Sequence, residues 1–230
     1  MKNPLIIFLL FAVISPAFGQ YYAGGIQANF GIPLNKLRES AEGIIFPEYT
    51  FTLYYPLYNR PVDLGLNIGV GTYQTKLEKR RDLYQGYNDE MRLRRNNNLL
   101  SLMGFVRYNF NPEAKVIPFI EAQLGTTYFY TRYKIRESWD SVPIEEGRDQ
   151  SNWVMAYRIG GGLKFPFKNR DKGHWEFKAL YHESTPAKFL RKQDTLFNPD
   201  KGEGEFEYNL QRSPFYLLQP GIGVILYFDY

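Results

Sequence analysis

The chain contains no cysteine and only two histidines among its 230 residues. The absence of cysteine excludes disulfide scaffolds, thiolate zinc sites, cysteine nucleophiles and lipoprotein acylation. Two histidines are too few for a histidine-rich metal site. The mean hydropathy of −0.41 does not suit a bundle of membrane helices, because each such helix needs an apolar run of about 20 residues.

Aromatic residues, in contrast, are abundant. The 19 tyrosines, 18 phenylalanines and 3 tryptophans make up 17% of the chain, far more than a chain that avoids forming a core would carry. The formal net charge of +4 is the small difference between 28 basic and 24 acidic residues. Because the basic residues are spread along the chain, we do not predict nucleic-acid binding.

Residues 1–19 have the organisation of a secretory signal peptide. Lys2 precedes a short apolar run, and the small residues Ala17 and Gly19 stand where a signal peptidase reads them. The apolar run of about ten residues is too short to cross roughly 30 Å of hydrocarbon as a helix. We therefore expect cleavage before Gln20 and export of the mature chain.

Hydrophobicity in residues 20–230 alternates with a period of two, and no helical period is sustained. We interpret these residues as a single domain. The alternation predicts eight strands, at residues 21–31, 48–58, 63–75, 98–110, 117–133, 152–165, 174–184 and 221–230.

The connections between these strands alternate in length. Those at 59–62, 111–116 and 168–173 are short, whereas those at 32–47, 76–97, 134–151 and 185–213 are long and polar. Short periplasmic turns and long external loops are typical of membrane barrels. A soluble β-sandwich or lipocalin-like barrel is the alternative, but glycine mixed with charge would be an odd exterior for it. We predict an all-β, eight-stranded, antiparallel up-and-down transmembrane barrel that is monomeric, with both termini periplasmic.

The last strand ends in alternating apolar residues, which form one face. These residues resemble the C-terminal assembly signal of bacterial outer-membrane barrels. The whole mature chain resembles small barrels of the OmpA/OmpX kind, in the form common in Bacteroidota. The resemblance implies a Gram-negative cell outer membrane as the location, and the barrel-assembly machinery as a partner during insertion. The residues of the assembly signal are Ile222, Val224, Leu226, Phe228 and Tyr230.

The inward-facing positions combine glycine with charged residues, and side chains fill the interior of an eight-stranded barrel. A hairpin centred near Arg170 would set Lys164 opposite Glu176 and Arg158 opposite His182. Such pairs neutralise charges removed from water, so we interpret them as a static network rather than a conduit. The predicted charge network of the lumen comprises Arg107, Glu121, Arg158, Lys164, Glu176 and Lys178.

The pair His182 and Ser184 is the weak candidate for catalysis. Its spacing resembles that of lipid A 3-O-deacylases, in which a base activates a serine. The alternation, however, directs both side chains into the barrel and away from lipid. No carboxylate stands at a family spacing to orient the histidine; Asp194, the candidate we name, lies in a long connection. The acidic residues of the long connections fit no calcium-loop spacing. We predict no enzyme activity, no metal and no cofactor.

The second long connection is net basic, and arginine forks suit the phosphate groups of lipopolysaccharide. Charge in a solvated, mobile loop is the alternative interpretation. The candidates for phosphate binding are Arg80, Arg81, Arg92, Arg94 and Arg95.

These observations favour a non-enzymatic, structural or interaction role in the outer membrane. The expected partners are outer-membrane lipids and lipopolysaccharide, or a larger outer-membrane complex for secretion, assembly or uptake, of which this barrel would be an accessory subunit. The alternatives are a narrow transporter of small solutes, which a hollow lumen or a lateral gap would favour, and a lipid A-modifying enzyme.

Overall fold

The computed structural model describes residues 21–41, 43–57, 60–84, 89–198 and 205–229. Their eight long strands are antiparallel and close into an up-and-down barrel, which confirms the predicted fold class. The last strand pairs with both the first and the seventh, and so closes the ring. The barrel strands are β1 (Tyr21–Pro33), β2 (Phe46–Pro56), β3 (Val62–Arg80), β4 (Met91–Asn109), β5 (Ile117–Arg136), β6 (Glu145–Pro166), β7 (Gly173–Ser184) and β12 (Tyr216–Asp229). The predicted signal peptide and Tyr230 lie outside the described residues.

The alternation of the sequence becomes an apolar exterior and a polar interior. Successive strand residues point to opposite sides of the sheet, and large apolar side chains form a belt around the outside. Ile26 is 70% exposed, Leu124 64% and Trp153 60%. Polar residues on the opposite parity, such as Asn67 and Glu121, are almost completely buried.

The barrel wall is taller on one side than on the other. Strands β3 to β6 have 19 to 22 residues, whereas β1, β2, β7 and β12 have 11 to 14. We call the upper parts of β3 to β6 the extension (residues 72–80, 91–98, 130–136 and 145–152). The prediction that 76–97 and 134–151 are loops is therefore wrong for most of their length. The apolar pattern stops at the edge of the belt, but the backbone pairing continues beyond it.

The end of the barrel that carries the extension also receives the chain segments outside the ring. The first long connection contains α1 (Asn35–Ala41). The fourth forms two small sheets, β8 (Ala187–Phe189) with β11 (Gln211–Ser213), and β9 (Thr195–Asn198) with β10 (Glu205–Tyr208).

The opposite end has short turns. The turn between β4 and β5 places Asn111 at φ 47°, a left-handed conformation that asparagine tolerates better than most residues. A 3-10 turn at Arg170–Lys172 joins β6 to β7, as expected for a hairpin centred near Arg170. Of the helices in the described ranges, none is both long and apolar enough to cross a membrane.

Candidate functional site

Arg107 on β4 is the centre of a charge cluster in the half of the lumen nearer the short turns. Its Nε donates to Glu121 at 2.7 Å, and its Nη1 and Nη2 donate to the two carboxylate oxygens of Glu176 at 2.7 and 3.0 Å. Lys178 lies 3.3 Å from Glu121 and 3.7 Å from Glu176. Arg107 is fully buried and lies over the ring of Phe119 at 4.2 Å. Two cations and two carboxylates thus cancel within one cluster.

Two further ion pairs in the lumen reach across to β2 and β3. Lys164 is opposite Glu176 in the register, as predicted, but its Nζ donates to Asp63 at 2.7 Å. Arg158 is opposite His182, also as predicted, and its guanidinium binds the carboxylate of Glu48 at 2.9 and 3.1 Å. Neither carboxylate belongs to the predicted network. Both lie on the inward parity of their strands, and that signal could have identified them.

An aromatic plug fills the half of the lumen nearer the extension, a feature that the sequence analysis missed. Phe215 is fully buried and lies 4.3 Å from Phe129, 5.1 Å from Phe189 and 5.2 Å from Phe46, centroid to centroid. The plug consists of Leu37, Ala41, Ile44, Phe46, Tyr73, Leu99, Phe129, Val154, Ala187, Phe189, Phe215 and Leu217. It joins barrel strands to α1 and β8, so the connections close the mouth of the barrel.

The weak catalytic pair is buried, and its hydrogen bonds are not those of a dyad. His182 accepts a hydrogen bond at Nδ1 from Nε of Arg158 at 3.0 Å, so an arginine stands where a triad would place a carboxylate. Ser184 donates to the carbonyl of Thr185 at 2.8 Å and accepts from the N–H of Phe215 at 3.2 Å. Both residues are less than 7% exposed. In the described ranges, no three His, Cys, Asp or Glu side chains come close enough together to hold a metal ion.

The inner side of the extension has a buried ion pair of its own. Nε of Arg95 donates to Asp149 at 3.0 Å, and the Arg95 guanidinium lies 4.3 Å from the ring of Phe206 on β10. Burial raises the pKa of Asp149, and Arg95 opposes that rise. Nearby, Glu145 accepts a hydrogen bond from Tyr133 at 2.6 Å and raises the pKa of this tyrosine to about 12.

The five arginines predicted to bind phosphate separate into different surroundings. Arg95 faces the interior, because odd-numbered residues of β4 point inward. Arg80 binds Asp82 at 2.7 and 2.8 Å, and the neighbouring Arg81 is exposed. Arg92 and Arg94 lie on the outer face, in a hollow of about 200 Å³ that β5 completes.

The outer face of the extension carries cations that the sequence analysis did not select. Arg132, Lys134 and Arg136 alternate along β5, and Arg148 of β6 lies opposite Arg132. Arg132 has the outward parity of the predicted strand 117–133, and alternation continued beyond residue 133 would have placed Lys134 and Arg136 on the outside as well. Below them, Tyr128 stacks on Trp153 at 4.5 Å and on Tyr130 at 5.3 Å, which forms an aromatic band at the edge of the belt.

The residues of the predicted C-terminal signal lie on the outer face of β12 as far as they are described. Ile222, Leu226 and Phe228 are 40%, 44% and 52% exposed. Val224 shares their face and is partly exposed.

Comparisons with known proteins identify the fold. No protein-family model and no curated protein matches the chain. A major outer membrane protein from Thermus thermophilus matches 91% of this chain with 100% of its own, at 12% identity and a TM-score of 0.50. This likeness confirms the resemblance in fold to small outer-membrane barrels.

Two more solved structures align along most of the chain. The N-terminal β-barrel domain of Pseudomonas aeruginosa OprF is 19% identical, with 91% of this chain and 100% of that one covered and a TM-score of 0.39. Ail, the attachment invasion locus protein of Yersinia pestis, is 11% identical, with 91% and 97% covered and a TM-score of 0.42.

Proposed function

We propose that the protein is an integral outer-membrane barrel with a non-enzymatic interaction role, exerted by the extension outside the membrane. The observation that carries this proposal is the contrast between a filled interior and a built exterior surface. An interior occupied by side chains of the described residues leaves little room for a conduit, whereas paired strands that rise above the belt hold their outer side chains in fixed positions.

The belt supports insertion into a membrane. On β1 the outward residues run from Tyr22 to Ile32, about the length that a tilted strand needs to cross the hydrocarbon core. The aromatic band of Tyr128, Tyr130 and Trp153 lies where side chains of this kind meet the membrane interface. In this orientation the short turns and both ends of the barrel sequence face the periplasm, and the extension faces the exterior.

The filled lumen argues against a transporter. The aromatic plug occupies one half, and the ion pairs of Arg107, Arg158 and Lys164 occupy the other. The wall also closes between β1 and β12, where the ladder is interrupted. No backbone pair joins Phe30 and Gly31 to β12 opposite Pro220, which has no N–H, but pairing resumes at Ile32 in the same register.

The hydrogen bonds of His182 and Ser184 argue against a lipid A-modifying enzyme. The His182 ring accepts a hydrogen bond from Arg158 inside the barrel. Ser184 borders an outer hollow with Met155 and Tyr157, but its hydroxyl donates to a backbone carbonyl and not to a base.

Membrane fractionation and planar-bilayer conductance test the proposal together. We expect the native protein in the outer-membrane fraction, with a gel mobility that changes on heating. We also expect no steady conductance under conditions in which a general porin, measured in parallel, conducts. A protein that is soluble without detergent would contradict the membrane assignment, and a steady open channel would contradict the filled interior.

A further inference from the structure

The outer face of the extension sets like charges directly opposite each other. In the register of β4, β5 and β6, Arg92 faces Arg136, Arg94 faces Lys134, and Arg132 faces Arg148. Like charges opposite each other on neighbouring strands are destabilising. Three such pairs in succession, which we call the cationic ladder, weaken the extension unless an anion from outside the chain lies against them.

The chain itself compensates only part of this charge. Glu146 lies 3.1 Å from Arg132 and 2.8 Å from Lys134, and its hydrogen bond from Lys134 lowers its pKa. None of the carboxylates in the described ranges forms an ion pair with Arg92, Arg94 or Arg136. Nε of Arg94 donates to Asn96 at 3.2 Å and Nη1 of Arg136 donates to a backbone carbonyl, so the remaining N–H groups of the upper ladder are available for an external anion.

The upper ladder also forms a shaped site. Arg92, Arg94, Lys134 and Arg136 line the hollow of about 200 Å³, and Trp139 closes one side of it. The guanidinium of Arg92 lies 5.6 Å from the Trp139 ring, and Arg136 donates to the Trp139 carbonyl at 3.0 Å. These contacts hold the two arginines in place, and the size of the hollow suits a charged headgroup rather than an acyl chain.

The height of the ladder above the membrane indicates which lipid would fit. Arg148 donates to the Tyr128 hydroxyl at 2.7 Å and lies 5.2 Å from the Tyr130 ring, so the lowest rung touches the aromatic band. Each further rung is two residues higher, about 7 Å along the strands. A glycerophospholipid has its phosphate only next to the hydrocarbon, whereas the ladder offers cations at three successive heights.

We propose that the cationic ladder binds the phosphorylated saccharide headgroup of an outer-leaflet glycolipid. This inference rests on the proposed function, because it needs the belt in the membrane and the extension outside. Guanidinium forks bind phosphate in a bidentate geometry. The acyl chains would lie along the apolar belt below, and the anionic sugar groups would extend upward past the hollow.

The test titrates the purified full chain in non-ionic maltoside micelles with three probes, and native mass spectrometry measures the bound fraction. The probes are rough lipopolysaccharide, the same preparation with its phosphates removed, and phosphatidylglycerol. We expect the phosphorylated lipopolysaccharide to bind at least about tenfold more tightly than either other probe, since each basic side chain near an anionic surface contributes about 1 kcal/mol. Equal binding of the dephosphorylated preparation or of phosphatidylglycerol would overturn the proposal.

A triple variant, Arg92→Gln with Arg94→Gln and Arg136→Gln, locates the site. We expect its dissociation constant for lipopolysaccharide to rise at least about tenfold. The matched control removes three charges from the same end of the barrel but outside the hollow, through Arg38→Gln, Lys188→Gln and Arg212→Gln, all exposed residues, and should change binding less than about twofold. If both variants lost the same affinity for lipopolysaccharide, binding would depend only on net charge, and the assignment of the site to the hollow would be wrong.

A second triple variant tests whether the guanidinium geometry or only the positive charge is needed. Gel mobility shows whether each variant is folded. Lysine at the same three positions keeps the charge but loses the bidentate geometry, so we expect affinity between that of the native chain and that of the glutamine variant. Native-like lysine binding would overturn the fork geometry. A heat-modifiable variant that binds as tightly as the native chain refutes the ladder alone, whereas a wild type that is soluble without detergent refutes the proposed function.

Discussion

The interior of the barrel and the outer face of its extension treat charge in opposite ways. Inside, each cation of the central cluster meets carboxylates, as Arg107 meets Glu121 and Glu176. Outside, the register brings Arg94 opposite Lys134, and the carboxylate of Glu146 lies at the middle of the ladder. The same strands β4 and β5 supply both arrangements, so neither the fold nor the overall composition explains the difference.

This difference separates charges with a structural role from charges that are available for binding. An ion buried in the lumen has no access to water, and it is tolerated only with a partner supplied by the chain. An exposed pair of like charges destabilises the fold only slightly in water, and a bound anion can turn this destabilisation into a stabilisation. We therefore expect substitutions in the interior to change stability, and substitutions on the outer face to change binding.

The largest effect is expected for Arg107→Met. The substitution leaves Glu121 and Glu176 buried with only Lys178 as a cation of the cluster, and breaking a buried pair typically costs about 3–5 kcal/mol. We expect a loss of this size in the free energy of unfolding, measured with urea in maltoside micelles.

The control for this prediction is the double variant Arg107→Met with Glu176→Gln. It leaves Glu121 paired with Lys178 and restores neutrality, so it should recover a large part of the loss. A single variant that loses less than about 1 kcal/mol, or a double variant no more stable than the single one, would contradict a structural role for the cluster.

A smaller effect is expected at the top of the interior, for Arg95→Met. The substitution leaves Asp149 buried without its cation, and a hydrogen bond to a charged group contributes about 1.5–3 kcal/mol. Since burial raises the pKa of Asp149 and Arg95 opposes that rise, loss of Arg95 raises it further. The variant should therefore be nearly as stable as the native chain at acidic pH, where Asp149 is neutral, and lose stability as rising pH ionises it.

Hydrogen exchange measures where this loss occurs. We expect faster exchange in β9 and β10, because Phe206 on β10 packs on the Arg95 guanidinium. The neighbouring Arg94→Met provides the control, since Arg94 points outward, away from that sheet. Equal exchange in the two variants would show that Arg95 does not anchor it.

The alternation of the sequence predicts the fold because successive residues of a strand point to opposite sides of the barrel wall, and each side requires its own kind of residue. It also predicts the register of β6 and β7, with Lys164 opposite Glu176. It does not predict that Lys164 binds Asp63, because long side chains in a narrow lumen reach strands that are not neighbours. The pairing of a hairpin determines which backbone positions lie opposite each other, but it does not determine which side chains form ion pairs across the lumen.

The plug and the cationic ladder were missed for two different reasons. Leu37, Phe189 and Phe215 belong to connections, and alternation says nothing about where a connection folds back. The ladder residues do alternate, but in the inverse sense: the outward positions are charged and the inward ones, such as Leu93 and Ile135, are apolar. A pattern with an apolar outer face therefore ends at the belt, and the predicted strands end with it. Paired strands can continue wherever the backbone has partners, whatever covers their faces.

The smallest effect has the opposite sign and is expected on the outer face, for Arg94→Thr. Threonine suits a strand, and the substitution removes the like charge opposite Lys134 without breaking an ion pair among the described residues. We expect a gain of about 0.2–1 kcal/mol in the free energy of unfolding in phosphate-free micelles at low salt. Arg94→Glu should gain at least as much, and both gains should shrink at about 1 M salt, where the Debye length is only about 3 Å.

With lipopolysaccharide bound, the order of stabilities should reverse, because the native arginine then contacts phosphate. A loss of stability without lipid would show that the chain already compensates Arg94, and would remove the physical reason for an external anion.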